Sequence, residues 1–150
     1  MMPYRELLIY LADDDKEDRE LFMEVLDEID KSVTIVDFDN GVTLMDALLH
    51  SEHRLPDAIY LDLNMPLMNG EECLDDIKNE PHLAHIPIII YSTYVDEVMA
   101  AKFKLKGANW YLIKPNSYRE LKNLLRKSLE NIHHFSTEPI ALNEFIITVS

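Results

Sequence analysis

The sequence predicts an α/β domain with a central parallel sheet. Short apolar runs alternate with stretches whose apolar residues recur at helical spacing, a pattern typical of βαβ units. Four of the apolar runs end in polar or charged side chains, as expected where strands reach the carboxyl edge of an open parallel sheet. A chain of 150 residues is long enough to form one domain with a full hydrophobic core.

Strands are predicted where short segments are mostly apolar and rich in β-branched or aromatic residues. These segments are Leu7–Ala12, Val33–Phe38, Ala58–Leu61, Pro87–Tyr91 and Asn109–Ile113. The strands that carry Tyr10, Tyr60 and Tyr91 are expected to be buried on both faces of the sheet.

Helical periodicity predicts a helix after each strand. The first follows the acidic triplet Asp13–Asp15. Its apolar face consists of Leu21, Phe22, Val25, Leu26 and Ile29. Pro81 breaks the third helix, and Gly107 follows the fourth, at the position where glycine commonly ends a helix. The second to fifth helices are predicted at Val42–His50, Glu71–Asn79, Val95–Leu105 and Tyr118–Ile132.

Five β/α repeats joined by short loops predict a flavodoxin-like three-layer sandwich with strand order 2-1-3-4-5. In this order the first and third strands are neighbours. Asp13 and Asp14 follow the first strand, and Asp62 follows the third. These carboxylates, which are distant in sequence, are therefore expected to meet at the carboxyl edge of the sheet.

The composition changes after the fifth helix. We expect a domain over residues 1–134 and a C-terminal extension over residues 135–150. Ile140–Ser150 is too apolar to remain fully exposed, so it is expected to dock on the domain or on a partner subunit of a homodimer. Trp110 and Tyr111 on the last strand are the expected receiving surface. The alternative is a disordered terminus.

Charge and composition exclude several classes of protein. A formal net charge of −14 argues against a nucleic-acid-binding face, which requires a basic stripe. No apolar run approaches the ~20 residues needed to span a bilayer, and the N-terminus lacks a secretory signal. The expected location is the cytoplasm. The single cysteine, Cys73, excludes an intramolecular disulfide.

The three converging carboxylates indicate a cation site. Two like charges ~4 Å apart repel by roughly 4 kcal/mol at an effective dielectric constant of about 20, so either a cation binds or a pKa rises. Hard oxygen ligands suit Mg²⁺ better than zinc, which favours His and Cys. Taken alone, Asp13–Asp15 could equally be a solvated turn in which Asp15 caps the following helix.

Two further polar positions complete a constellation. Ser92 follows the fourth apolar run, and Lys114 with Pro115 follows the fifth. The series of acid pair, acid, hydroxyl and lysine, each at a strand end, resembles the receiver domain of bacterial two-component response regulators. The resemblance covers roughly Leu7 to Ile132.

The resemblance implies an acceptor and a metal site. Asp62 would accept a phosphoryl group from a kinase phosphohistidine. Asp14 and Asp62 would coordinate Mg²⁺ directly together with the backbone carbonyl of Asn64, and Asp13 would act through a bound water.

The resemblance also implies how the phosphoryl group is contacted and sensed. Lys114 and Ser92 would contact phosphoryl oxygens, with Thr93 the alternative hydroxyl. Tyr111 would be the aromatic residue that turns inward when the hydroxyl moves. The Lys114–Pro115 peptide would be cis.

The expected function is a phosphorylation-dependent switch without independent enzymatic output. Phosphorylation would change binding of an unknown target protein at the face of the fourth helix, fifth strand and fifth helix. The donor would be a sensor histidine kinase or a histidine phosphotransfer protein. The stretch Lys78–Pro87 resembles receivers that stand alone and pair with phytochrome-type kinases.

Three alternatives remain open from the sequence. A phosphorelay intermediate would pass the group on to a histidine phosphotransfer protein. A Mg²⁺-dependent phosphohydrolase would also use an aspartyl phosphate, but such enzymes usually carry an acid two residues after the nucleophile, where this chain has Asn64. A binding module with this fold that no longer takes phosphate is the third.

Overall fold

The protein forms a parallel sheet flanked by helices, as seen in a computed structural model that describes residues 6–50, 52 and 54–148. The strands are β1 (Leu8–Ala12), β2 (Thr34–Phe38), β3 (Ala58–Leu61), β4 (Ile88–Ser92), β5 (Trp110–Ile113) and β6 (Ile146–Ile147). The helices are α1 (Lys16–Ile29), α2 (Gly41–His50), α3 (Gly70–Asn79), α4 (Glu97–Leu105), α5 (Tyr118–His133) and α6 (Leu142–Phe145).

The strand order within the described residues is β2-β1-β3-β4-β5-β6, and every neighbouring pair is parallel. The predicted order 2-1-3-4-5 is therefore confirmed, with a sixth strand added beyond β5. Ala12 on β1 lies opposite Leu61 on β3, so the residues that follow these two strands emerge side by side.

Two apolar layers cover the sheet. One layer packs α1 and α5 against residues such as Leu11 and Tyr60, and the other packs α2, α3 and α4 against residues such as Ile59 and Ile90. All residues of β3 and β4 are buried, which explains why these segments read as continuous apolar runs.

Side-chain caps fix where the helices begin. The Asp15 carboxylate accepts hydrogen bonds from the N–H groups of Glu17 and Asp18 at the start of α1. α4 begins at Glu97 rather than at the predicted Val95, because the Asp96 carboxylate accepts the N–H of Met99 and so caps the helix. These caps hold the loops at the carboxyl edge of the sheet in place.

The C-terminal extension returns to the edge of β5. Ile146 lies opposite Tyr111, and Phe145 is completely buried. Residues 1–5 of the predicted domain and residues 149–150 of the predicted extension lie outside the described residues, and the boundary at 134/135 stays a prediction. In the part of the chain that the structure covers, no helix is both long and apolar enough to cross a membrane.

Candidate functional site

Three carboxylates meet where β1 and β3 end. One oxygen each from Asp13, Asp14 and Asp62 lie within 4.8 Å of one another. Asp13 and Asp62 are buried, whereas Asp14 is exposed. The carboxylates come together because β1 and β3 are neighbouring strands. The pairing continues to the ends of these strands, where the Asp62 N–H donates to the carbonyl of Ala12 at 2.9 Å.

Asp13 is the most deeply buried of these acids. Its Oδ1 accepts the N–H of Asp15 at 3.0 Å, and its Oδ2 accepts from Lys114 Nζ at 2.7 Å. Burial raises the pKa of Asp13 to about 6, an effect that Lys114 and the Asp15 N–H oppose and that the charge of Asp62 reinforces. Burial and, to a smaller extent, the charge of Asp62 thus disfavour the charged form of Asp13, and a bound cation would favour it.

Lys114 reaches into this cluster from the end of β5. Its ammonium donates to Asp13 at 2.7 Å, to Asp18 at 3.0 Å and to Asp62 at 3.3 Å, and it lies 5.1 Å from the centre of the Tyr91 ring. Burial alone would lower the pKa of Lys114, but the hydrogen bonds and charges of the three carboxylates outweigh it and raise the pKa. Lys114 therefore stays positively charged.

The donor set fits a hard divalent cation. The three carboxylates offer oxygen ligands, which Mg²⁺ and Mn²⁺ prefer. The backbone of Asn64 lies beside them, since its N–H donates to Asp62 Oδ1 at 3.3 Å.

Gly70 fixes the loop that carries Asn64. Its N–H donates to the carbonyl of Leu63 at 3.1 Å, and a Cβ at this position would collide with the carbonyl oxygen of Asp62. Only glycine allows this approach, so α3 begins directly against the backbone of Asp62 and Leu63.

Ser92 and Tyr111 lie on the neighbouring strands β4 and β5. Ser92 is the buried last residue of β4, whereas Thr93 is exposed, so Ser92 is the hydroxyl that faces the interior. Tyr111 is fully buried, and its hydroxyl donates to the carbonyl of Tyr94. Burial raises the pKa of Tyr111, and the Ser92 hydroxyl partly opposes this. Tyr111 thus occupies an inward position.

The structure corrects the expected peptide geometry at Lys114–Pro115. The described residues contain no cis peptide bond, so this bond is trans. A prolyl bond differs by only about 0.5–1 kcal/mol between its isomers, which is why the Lys-Pro pair does not fix the choice.

The sequence reasoning missed Asp18, which the structure places against Lys114. Asp18 lies in the first turn of α1, where acidic residues are common because they complement the helix dipole. Its place in the turn that follows the acidic triplet Asp13–Asp15 was the available signal.

A divalent cation is expected to bind more weakly as the pH falls below about 6. Asp13 is protonated below its raised pKa of about 6, and a neutral carboxyl group attracts the nearby cation less than a carboxylate does. The apparent affinity should fall by up to about tenfold per pH unit in that range. Calorimetric titration with Mg²⁺ between about pH 5 and pH 8 measures this. A flat profile would contradict the expectation, and Asp13→Asn should flatten it.

The raised pKa of Asp13 also makes the stability of the metal-free protein depend on pH. Cation binding is expected to strengthen as the pH rises, whereas this contribution to stability weakens. Folded Asp13 holds its proton more tightly than unfolded Asp13, whose pKa is 3.8. The contribution of Asp13 to the free energy of unfolding therefore falls as the pH rises from about 4 to about 6.

Comparisons with known proteins agree with this geometry. A family model described as "Response regulator receiver domain" matches residues 9–126. The chain is 32% identical over 141 residues to the response regulator Rcp1 of Synechocystis sp., covering 90% of this chain and 92% of Rcp1.

Two solved structures are also similar. The phosphorylated cyanobacterial phytochrome response regulator RcpA is 28% identical, with a TM-score of 0.80 over 91% of this chain and 100% of RcpA. The Mn²⁺-bound form of Rcp1 is 27% identical, with a TM-score of 0.77 over 89% of this chain and 99% of that structure. The chain therefore belongs to the response regulator receiver domain family, whose members accept phosphoryl groups in two-component signalling and bind a divalent metal.

Proposed function

We propose that Asp62 accepts a phosphoryl group from a phosphohistidine in a Mg²⁺-dependent reaction. The observation that carries this proposal is that Asp62 has both negative and positive groups as close neighbours. Its carboxylate lies beside those of Asp13 and Asp14 and 3.3 Å from the Lys114 ammonium. A carboxylate placed in this way is both a nucleophile and a ligand.

The proposed transfer forms one bond and breaks one. A carboxylate oxygen of Asp62 attacks phosphorus, the N–P bond of the phosphohistidine breaks, and the imidazole nitrogen keeps the electron pair. The products are an aspartyl phosphate and a free histidine. Because the charge of the transferred group spreads over its equatorial oxygens, the protein contributes mainly by positioning and charge neutralisation.

The residues around Asp62 have separate proposed roles. Asp14, Asp62 and the backbone carbonyl of Asn64 would hold Mg²⁺, with Asp13 acting through water. The ion would supply positive charge to phosphoryl oxygens. Lys114 would pair with another phosphoryl oxygen.

Ser92 and Tyr111 are the proposed link between transfer and signalling. When Ser92 turns towards a phosphoryl oxygen, its interaction with the Tyr111 hydroxyl would change. Tyr111 also holds the carbonyl of Tyr94, just before α4. Phosphorylation would thereby bias the position of α4 relative to β5 and α5, where a target protein would bind.

The proposed phosphodonor is a histidine kinase of the phytochrome type or a histidine phosphotransfer protein. Similarity to RcpA, a phytochrome response regulator, over its whole length supports the first of these. Profiling transfer from a panel of phosphorylated kinases would identify the donor.

The direct test is labelling of the protein with acetyl phosphate and Mg²⁺. We expect the intact mass to increase by one phosphoryl group, with a base-labile adduct that maps to the peptide containing Asp62. Labelling should disappear when a chelator removes the metal. An adduct on another residue, or equal labelling without metal, would refute the proposal.

Tyr94→Ala is expected to speed loss of the phosphoryl group several-fold. Tyr94 is bulky and exposed two residues after Ser92, where it would crowd the path of the attacking water, which must approach in line. The measurement is the first-order decay of the phosphorylated protein.

Tyr94→Phe is the matched control. It keeps the ring but loses the hydroxyl, which donates to Asp96 Oδ2 at 3.3 Å. Decay should be close to that of the parent, and equal decay in all three proteins would show that the ring does not shield the site.

A further inference from the structure

Asp18 completes the surroundings of the Lys114 ammonium. An ammonium has three N–H donors and no acceptor. Asp13, Asp18 and Asp62 lie at 2.7, 3.0 and 3.3 Å from Nζ, so each donor has one carboxylate. Asp13 and Asp62 also belong to the proposed metal and acceptor site, whereas Asp18 lies outside the metal-binding cluster.

The backbone of Asp18 is held rigidly. Its N–H donates to the capping carboxylate of Asp15 at 3.2 Å. The next residue, Arg19, donates to the Asp13 carbonyl at 2.8 Å and to the Asp37 carboxylate at 2.9 Å. The first turn of α1 is thus anchored to the end of β1 and to β2, and it presents the Asp18 carboxylate to Lys114 from a fixed direction.

Phosphoryl transfer would change the contact with Asp62 but leave the contact with Asp18 as it is. The Asp62 carboxylate becomes part of an acyl phosphate, a mixed anhydride, and its charge moves onto the phosphoryl oxygens. Asp13 would face the metal as well as Lys114. Asp18 would keep both its charge and its contact with the ammonium before and after transfer, and unlike Asp13 it has no proposed role towards the metal.

We propose that Asp18 is a positioning residue that holds the Lys114 ammonium at the place where the phosphoryl oxygens arrive. This inference rests on the proposed function of Asp62. Without Asp18, one N–H of Lys114 loses its carboxylate, and the ammonium can turn towards solvent, because the Asp18 side chain closes the exposed side of the site. Its side chain is 41% exposed, against 1% for Asp13 and 9% for Asp62.

The negative charge of Asp18 also slows the approach of an anionic phosphodonor. The test must separate this effect from the positioning of Lys114. Removing a negative charge favours the approach of an anionic phosphodonor. Asp18→Asn and Asp18→Ala remove the same charge, but only the amide keeps an oxygen that can accept from Lys114. The difference in labelling rate between these two variants therefore reports the hydrogen bond to Lys114 and not the electrostatic effect of the lost charge.

The experiment compares labelling rates with acetyl phosphate and saturating Mg²⁺. We expect Asp18→Ala to be labelled about fivefold more slowly than Asp18→Asn, as befits one charge-assisted contact at a partly exposed carboxylate. Glu17→Gln is the control for charge, since Glu17 is exposed on the same turn of α1. It should be labelled at nearly the parent rate.

A second measurement needs no phosphorylation. Nitrogen-15 NMR of the lysine ammonium groups detects an ammonium whose protons exchange slowly because acceptors hold them. The Lys114 signal should be sharp in the parent and in Asp18→Asn, and broadened in Asp18→Ala.

The outcomes separate this proposal from the proposed function. If the parent is labelled at Asp62 but the two Asp18 variants are labelled equally fast, the positioning role is wrong and the acceptor role stands. An unchanged Lys114 signal in Asp18→Ala would also overturn the positioning role. If the parent is not labelled at all, both proposals fall together.

Discussion

Replacing Asp62 with Asn is expected to abolish phosphoryl labelling. The variant keeps the shape of the side chain, but an amide is not a nucleophile towards phosphorus, and the cluster loses one of its three carboxylates. The expected loss is complete within the detection limit of intact mass measurement with acetyl phosphate and Mg²⁺.

Folding of the variant must be shown alongside. Asp62 is buried, and its neutral isostere removes repulsion with Asp13 as well as attraction to Lys114, so the melting temperature should change little. Asp27→Asn makes the same chemical change at an exposed position on α1 and should be labelled like the parent. Labelling of Asp62→Asn at the parent rate would show that the acceptor is elsewhere.

The sheet and the acidic cluster were predictable because both follow from local patterns. Continuous apolar runs mark strands buried on two faces, and the strand order then brings the residues after β1 and β3 together. Asp13, Asp14 and Asp62 lie together in the structure for this reason.

Other features depend on contacts that no local pattern specifies. Acidic residues in the first turn of a helix are usually explained by the dipole, so the contact between Asp18 and Lys114 needs the real position of α1. The predicted start of α4 at Val95 was wrong. The apolar periodicity extends back to Val95, but Asp96 caps the helix, which therefore begins at Glu97. The isomer of the Lys114–Pro115 bond depends on the surrounding loop.

The C-terminal extension was likewise only partly predictable from the sequence. Its apolar residues predicted docking near Trp110 and Tyr111, and Ile146 lies opposite Tyr111 in the structure. The short helix α6, which turns Phe145 into the core, could not be predicted from four residues with little periodicity.

Phe145→Ala is expected to release the extension and lower the stability of the whole domain. Phe145 is completely buried among residues of the α2, α3 and α4 layer, and Ile147 beside it is 3% exposed. Removing a buried phenylalanine costs about 3–5 kcal/mol in a fixed core. Here the cost cannot exceed the free energy with which the extension docks, because beyond that value the segment detaches.

We therefore expect a loss of about 2–3 kcal/mol, which for a domain of this size lowers the melting temperature by roughly 4–12 °C. Detachment also exposes the N–H and C=O groups of β5 that now pair with β6, and free strand edges promote association. The variant should thus melt earlier and show a greater tendency to self-associate. Asn143→Ala, on the exposed side of α6, is the matched control and should change neither property. Deletion of residues 137–150 should reproduce Phe145→Ala, and if neither the deletion nor Phe145→Ala alters the melting temperature or the solution mass, the extension contributes nothing to the fold.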